Sequence, residues 1–140
     1  MRHPTIDHIG IIVENLETSV AMFDHLFHLK PSKIKEMPDV GLKIAQLNAA
    51  NISIELLQYM DQEEGLAQKT MGVEPGINHL SITVEDMKSN LKELERKGLK
   101  VMNGFPRPGS HGQVAFFKPE TTQGILLEVC EKAKGIAQGD

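Results

Sequence analysis

Two segments of the chain alternate polar and apolar residues in nearly the same way. The first is IDHIGIIVEN, residues 6–15, and the second is INHLSITVED, residues 77–86. Because successive side chains of a β-strand point to opposite faces, each segment predicts a strand with one apolar face. The other face carries a histidine, which is His8 in the first segment and His79 in the second. An offset of 71 residues aligns the two segments, so the two histidines occupy equivalent positions in an internal repeat.

A helical pattern follows each of these strands. Apolar residues recur every three or four positions in NLETSVAMFDHLFHL, residues 15–29, and in DMKSNLKELERKGL, residues 86–99, which is typical of a helix with one buried face. Asn15 and Asp86 stand at the two N-cap positions, where a short polar side chain accepts a hydrogen bond from the first turn. Gly98 is expected to end the second helix.

Three strand-like segments follow each predicted helix. They are SKIKEMP, GLKIAQLN and NISIELLQY in the first half, and KVMNGFP, QVAFFKP and GILLEVCE in the second. The order βαβββ therefore occurs twice, at about residues 5–59 and 76–131, with a connector at 60–75 that has room for a short helix. Strands mixed with one helix per module predict the α+β class. The 140 residues are enough for a single domain with its own core.

Two glutamates extend the polar face that carries the histidines. Glu55 lies in ISIEL and Glu128 lies in ILLEV, at matching places in the last strand of each half. A carboxylate among aliphatic residues is costly to bury without a partner. Imidazoles and carboxylates together suit a divalent ion such as Zn, Co, Ni or Mn. The pattern predicts one divalent metal ion per chain, bound by His8, Glu55, His79 and Glu128.

Simpler interpretations exist for each of these four residues taken alone. A single strand histidine is more often structural than a metal ligand, and a glutamate can face solvent on an edge strand. The recurrence of the same residue types at matching positions of both halves favours the metal site. The loop RPGSHGQ, residues 107–113, contains His111 and is a further candidate, because loops at sheet ends often carry functional residues.

Composition argues against several functional classes. The net charge is −4 and no basic stripe is visible, which disfavours a nucleic-acid-binding protein. The single cysteine, Cys130, excludes an intramolecular disulfide and is interpreted as a packing residue. No apolar run approaches transmembrane length, and the first residues lack the apolar segment of a signal peptide. We therefore expect a cytoplasmic protein that binds neither nucleic acid nor membrane.

The repeated motifs resemble those of the vicinal-oxygen-chelate (glyoxalase/bleomycin resistance) superfamily. The resemblance covers about residues 5–131 and rests on IDHIGIIVENLE, ISIELLQ, GINHLSITVEDM and PGSHGQVAFFKPETTQGILLEV. Within that superfamily the chain is most similar to the methylmalonyl-CoA epimerases. The resemblance implies the glyoxalase fold, in which two βαβββ modules form a half-open, barrel-like sheet around a metal site. It also implies the metal ligands His8, Glu55, His79 and Glu128.

The same resemblance implies a reaction and its residues. A metal-dependent epimerase of this family abstracts the α-proton of a CoA thioester, here methylmalonyl-CoA, with Glu128 and Glu55 as the available catalytic carboxylates. Gln46 and His111 are expected to lie near the substrate. Some family epimerases have a glutamate base in the second strand of the first module, where this chain has Ile44. Some also have glutamine at the position of Glu55, where glyoxalases commonly have glutamate.

Two other functions are compatible with this resemblance. The first is a glyoxalase-I-type lactoylglutathione lyase, but such an enzyme is expected to offer arginines to glutathione, and the chain has only Arg2, Arg96 and Arg107. The second is a small-molecule-binding resistance protein without enzymatic activity, but such a binder needs no metal ligands. The epimerase is therefore the favoured interpretation. Because superfamily members often form dimers, we also expect a homodimer.

Overall fold

The structure is a computed structural model that describes residues 3–60, 65–110 and 112–131. These residues form eight β-strands and three α-helices, which confirms the predicted α+β class. Two compact units are present. The first is Ile6–Ser81, and the second contains residues 3–5 and 82–131 of the described chain.

The first unit is built on five strands. Its elements are β1 (Ile6–Ile12), α1 (Leu16–Phe27), β2 (Pro31–Met37), β3 (Leu42–Asn48), β4 (Ser53–Tyr59), α2 (Leu66–Met71) and the greater part of β5 (Gly76–Val84). The strand order is β2-β3-β4-β1-β5. β1 runs parallel to β4, and β3 runs antiparallel to both β2 and β4. In this register Glu55 on β4 lies between Gly10 of β1 and Gln46 of β3.

Helix α1 begins and packs as its sequence predicts. The Asn15 side chain accepts a hydrogen bond of 2.8 Å from the backbone N–H of Thr18, which confirms the predicted N-cap. The helix packs on the apolar face of the strands, in a core cluster formed by Leu16, Ala45, Leu47 and Leu56. At 12 residues α1 is the longest helix described, and none of the described helices has the length and apolarity that a membrane span requires.

Helix α2 lies within the predicted connector. It contributes Ala67 to a second core cluster that also contains Leu42, Ile44 and Leu57. Leu57 shares a strand face with Glu55, because the two residues are two positions apart on β4. Part of the strand face that carries Glu55 is therefore apolar and packed.

The second unit repeats the strand-and-helix order on a smaller scale. It contains the end of β5, α3 (Met87–Arg96), β6 (Arg107–Pro108), β7 (Gln113–Phe116) and β8 (Leu127–Glu131). The strand order runs from the end of β5 through β8 and β7 to β6. Asp86 caps α3 by accepting a 3.0 Å hydrogen bond from the backbone N–H of Ser89, as predicted. The helix packs on the core residues Ala115, Phe117 and Val129 through Met87 and Leu91.

One predicted strand is wrong. KVMNGFP, residues 100–106, forms no continuous strand: Val101 makes only an isolated bridge to Phe117, and the chain then turns at Asn103 and Gly104. Pro106 cannot donate a ladder hydrogen bond, which further disfavours a strand here. The two-residue strand β6 follows instead, at Arg107–Pro108.

Candidate metal centre

Three of the four predicted ligands come together in the first unit. His8, Glu55 and His79 are each 5% exposed or less. Nε2 of His8 lies 3.4 Å from Oε1 of Glu55. The rings of His8 and His79 meet edge to face, with centroids 5.6 Å apart, and each ring offers a potential ligand atom within 4.8 Å of the other. The buried His8 ring therefore lies next to a carboxylate on one strand and a second imidazole on another.

The room for this cluster depends on Gly10. A Cβ atom at residue 10 would lie 2.2 Å from Cε1 and 2.6 Å from Nε2 of His79. Contacts this short do not occur in folded proteins, so a side chain at this position would displace the imidazole. Glycine within a strand is otherwise unfavourable, and it often marks a site where another group approaches closely. The absence of a side chain at Gly10 therefore leaves the space that the His79 ring occupies.

A carboxylate lies on each side of the His8 ring. Oδ2 of Asp7 is 2.8 Å from Nδ1, while Oε1 of Glu55 is 3.4 Å from Nε2. An ionised carboxylate only accepts hydrogen bonds, so the short contact to Asp7 places a proton on Nδ1. In the neutral ring Nε2 then presents a lone pair to the Glu55 oxygen. Two electron-rich atoms facing each other in a buried site call for a cation between them, either a proton or a metal ion.

The donor set and its spacing fit a divalent metal ion. Bonds of about 2.1 Å from one ion to a nitrogen and an oxygen, meeting at a tetrahedral angle, separate the two donors by about 3.4 Å. The His8 and Glu55 donor atoms are 3.4 Å apart. His79 adds a second imidazole from β5 to the same cluster. Two imidazoles with a carboxylate match the ligand preferences of Zn, Co, Ni and Mn.

Glu128 lies in the second unit, on β8. It is 5% exposed, and it pairs in register with Phe116 of β7. Cys130 shares its strand face and is buried, in keeping with a packing role. Glu128 occupies the place in the second half that Glu55 occupies in the first, in the last strand of each repeat. Its function as a ligand stays a prediction.

Each half also contains a hydrogen bond that the sequence did not suggest. The backbone N–H of Leu16, the first residue of α1, donates to Oε1 of Gln58 over 2.6 Å. The backbone N–H of Met87, the first residue of α3, donates to Oε2 of Glu131 over 2.8 Å. Gln58 and Glu131 each stand three residues after the glutamate of their repeat. Each half therefore anchors the glutamate strand to the start of its helix, and the matching positions were a signal available in the sequence.

The remaining candidate residues lie around Glu55 or outside the described chain. Gln46 is half-buried and lies directly opposite Glu55 on β3, with its side-chain amide donating to Oδ1 of Asn48 over 3.0 Å. Ile44 is buried in the core cluster beneath α2. His111 lies outside the described residues.

The chain is similar to known proteins over most of its length. A family model described as the glyoxalase/bleomycin resistance protein/dioxygenase superfamily matches residues 7–117. A curated ethylmalonyl-CoA/methylmalonyl-CoA epimerase of Cereibacter sphaeroides is 28% identical over 129 residues, covering 89% of this chain and 95% of the relative. The human mitochondrial methylmalonyl-CoA epimerase is 25% identical over 128 residues, covering 89% of this chain and 72% of the relative. The solved structure of a hypothetical protein of Bacillus halodurans C-125 superposes with a TM-score of 0.85 at 30% identity, covering 98% of this chain and all of that one.

Proposed function

Because the chain belongs to the glyoxalase/bleomycin resistance protein/dioxygenase superfamily, we propose that it is a metal-dependent epimerase that acts on a CoA thioester. The proposed substrate is methylmalonyl-CoA. The names of the relatives from Cereibacter sphaeroides and human support this substrate class, since both are epimerases of methylmalonyl-CoA. The observation that carries the proposal is the buried pair of His8 Nε2 and Glu55 Oε1, 3.4 Å apart, with the His79 ring beside it.

The proposed metal ligands are His8, Glu55, His79 and Glu128. The first three are supported by their cluster in the first unit. Glu128 is supported by its place in the repeat and by its burial as a carboxylate beside Val129 and Cys130. When bound, the divalent ion would act as a Lewis acid on the thioester carbonyl, which makes the adjacent C–H bond more acidic.

The chain's own carboxylates are proposed to move the proton. Glu128, as a carboxylate, removes it from the α-carbon, and Glu55, protonated from solvent for this step, delivers its proton to the opposite face. The centre is inverted without oxidation or reduction, and both carboxyl groups then recover their starting states by proton exchange with solvent. The first module supplies no glutamate at the strand position that some family epimerases use, because Ile44 occupies it within the core. A second carboxylate at Glu55, where those epimerases have glutamine, would replace that missing group.

Two further residues are proposed to contact the substrate. Gln46 lies opposite Glu55 and carries an amide that can both donate and accept hydrogen bonds. His111 is proposed only from the family resemblance. A homodimer is likewise proposed on that basis alone.

Proton exchange followed by NMR in deuterated water tests the proposed reaction. The metal-loaded protein is given methylmalonyl-CoA in one sample and the methylglyoxal–glutathione hemithioacetal in another. We expect deuterium to enter the α-position of methylmalonyl-CoA, and we expect no thioester to form from the hemithioacetal. Chelator-treated protein and His79→Ala, each with its metal content measured, are the controls and should lose the exchange.

The other outcomes separate the alternatives. Conversion of the hemithioacetal to a thioester would replace the epimerase with a glyoxalase-I-type lyase. If the metal-loaded protein acts on neither compound, both activities fail for these substrates. A small-molecule-binding protein then becomes the better account.

A further inference from the structure

Each histidine of the cluster has a hydrogen-bonding partner immediately before it in the chain. Nδ1 of His8 lies 2.8 Å from Oδ2 of Asp7, and Nδ1 of His79 lies 2.8 Å from Oδ1 of Asn78. The two pairs stand 71 residues apart, at the offset that relates the histidines. We propose that Asp7 and Asn78 are positioning residues that keep a proton on Nδ1 of both histidines, so that both Nε2 lone pairs are directed to the metal.

The orientation of the Asn78 amide follows from a second hydrogen bond. Its Nδ2 donates to the backbone carbonyl of Met71 over 2.9 Å. A carbonyl oxygen only accepts hydrogen bonds, so the NH₂ group must face Met71, and the amide oxygen must face His79. That oxygen also only accepts, so Nδ1 of His79 must carry the proton. The end of α2 thus sets the tautomer of a histidine on β5 through one side chain.

In the first half, the carboxylate of Asp7 favours the same tautomer of the His8 ring. A carboxylate in place of the amide gives His8 a charged partner, and 27% of the Asp7 side chain is exposed to solvent. Hydrogen bonds to an ionised acceptor are stronger than those between neutral groups. A carboxylate on Nδ1 also raises the basicity of the ring as a ligand. His8 is therefore expected to be the stronger nitrogen donor of the two.

This orientation matters because it decides which nitrogen of each ring is left to bind a metal. In His8 it is Nε2 that lies 3.4 Å from Glu55 Oε1. In His79 the Nδ1 atom faces Asn78 at 2.8 Å, so Nε2 is the ring nitrogen left to offer a lone pair. A proton on Nε2 would block either nitrogen as a ligand. Groups that orient a ligating histidine typically change metal affinity about 10–100-fold when they are removed.

The tautomers can be measured without any metal and without the proposed reaction. The experiment is a long-range ¹H–¹⁵N correlation spectrum of the uniformly ¹⁵N-labelled, chelator-treated full chain. His8→Ala and His79→Ala assign the two rings among the six histidines. We expect a protonated Nδ1 in both rings. An unprotonated Nδ1 in either ring would overturn the proposal for that pair.

Calorimetric titration with Zn²⁺ and Co²⁺ then tests the effect on binding, and this step rests on the proposed metal site. Asp7→Ala and Asn78→Ala should bind about 10–100-fold more weakly than the parent. Asp7→Asn keeps an acceptor, and it is the residue that the other half uses, so it should stay within a few-fold of the parent. Asn78→Asp keeps the acceptor for His79 but cannot donate to Met71. It therefore tests the hydrogen bond to His79 separately from the hydrogen bond to the end of α2. Asn103→Ala, at an exposed turn, is the matched control.

The outcomes of the two experiments are distinguishable. Alanine variants that bind metal as tightly as the parent would overturn the positioning role, even where the spectrum shows the expected tautomers. If the parent binds neither ion, the proposed metal site fails, and the spectrum alone then decides whether Asp7 and Asn78 hold the rings as proposed. If an alanine variant does not fold, Asp7→Asn, Asn78→Asp and the parent spectrum still decide.

Discussion

The His79 ring occupies the space that a side chain on Gly10 would fill, with its Cε1 only 2.2 Å from the position of a Cβ atom there. The two residues come from neighbouring strands of the first unit, β5 and β1. Gly10 shares a strand face with His8 and lies opposite Glu55 in register. One glycine is therefore adjacent to three proposed ligands at once, and it contributes only by its lack of a side chain.

Replacing Gly10 with alanine is expected to weaken metal binding at least about tenfold, or about 1.4 kcal/mol. The methyl group would displace the imidazole of His79, and the ring is buried, so it has little space to move without leaving the cluster. Zn²⁺ titration followed by calorimetry measures the change. Parent-like affinity in Gly10→Ala would show that the ring does not need this space.

Ser81 provides the matched control, because it stands at the equivalent position of the second repeat. It is fully buried, and within the described part of the chain its Oγ has no hydrogen-bond partner. Removing a buried hydroxyl without a partner is neutral or stabilising. Ser81→Ala should therefore retain the stability of the parent protein and its metal affinity.

The two glutamates are expected to differ in their effects on proton exchange. Glu128→Gln should slow deuterium entry into methylmalonyl-CoA about 10²–10⁴-fold, since it removes the proposed base. Glu55→Gln should still allow deuterium to enter one stereoisomer, because it removes only the group that returns a proton to the opposite face. Inversion of that isomer should stop. Optical rotation or chiral chromatography of the substrate measures it.

Metal content must accompany both measurements, because each glutamate is also a proposed ligand. A Glu128→Gln protein that keeps its metal and exchanges at the parent rate would exclude Glu128 as the base. A Glu55→Gln protein that inverts the substrate normally would exclude Glu55 as the group that returns the proton.

The repeat made much of both units predictable. The alternation of apolar and polar residues in β1 and β5 and the N-caps Asn15 and Asp86 are all present in the structure. The faces on which His8 and Glu55 lie also followed from strand parity, because a residue's face depends only on its position along the strand. These features depend on local sequence, and the second half of the chain supplied an independent copy of each.

Features that depend on long-range contacts were harder to predict. The segment KVMNGFP has the composition of a strand at its ends, but the turn at Asn103 and Gly104 interrupts it. Gly10 appears in the sequence as an ordinary strand glycine, and its purpose is visible only once β5 lies beside β1. Gln58 and Glu131 are side chains that bond to a helix start more than 40 residues away. Their matching places after the two glutamates could have suggested a shared role, although not the partner.

The hydrogen bonds from the helix starts should contribute measurably to stability. Gln58→Ala leaves the N–H of Leu16 without its acceptor, which is expected to lower the free energy of unfolding by about 1–3 kcal/mol. Glu131→Ala should act similarly through Met87. Glu131→Gln keeps an acceptor and removes only the charge at the helix N-terminus. This should lower the free energy of unfolding by about 0.3–1 kcal/mol. Urea unfolding of the three variants checks this order, and equal losses for Glu131→Ala and Glu131→Gln would contradict it.

Tyr59 is expected to make the stability of the protein sensitive to alkaline pH. Burial raises its pKa from 10.0 to about 12, and its hydroxyl donates to the backbone carbonyl of Gly72. The unfolded chain therefore loses this proton near pH 10, whereas the folded chain keeps it until about pH 12. Because the folded state binds more protons in that interval, the contribution of Tyr59 to the free energy of unfolding should be fully present below about pH 10 and should be lost as the pH rises toward 12.

The chain has one tyrosine and no tryptophan, so phenolate absorbance reports this group alone. Tyr59→Phe should lose this part of the alkaline dependence in urea unfolding, and a phenolate that titrates near pH 10 in the folded parent would disprove the assignment.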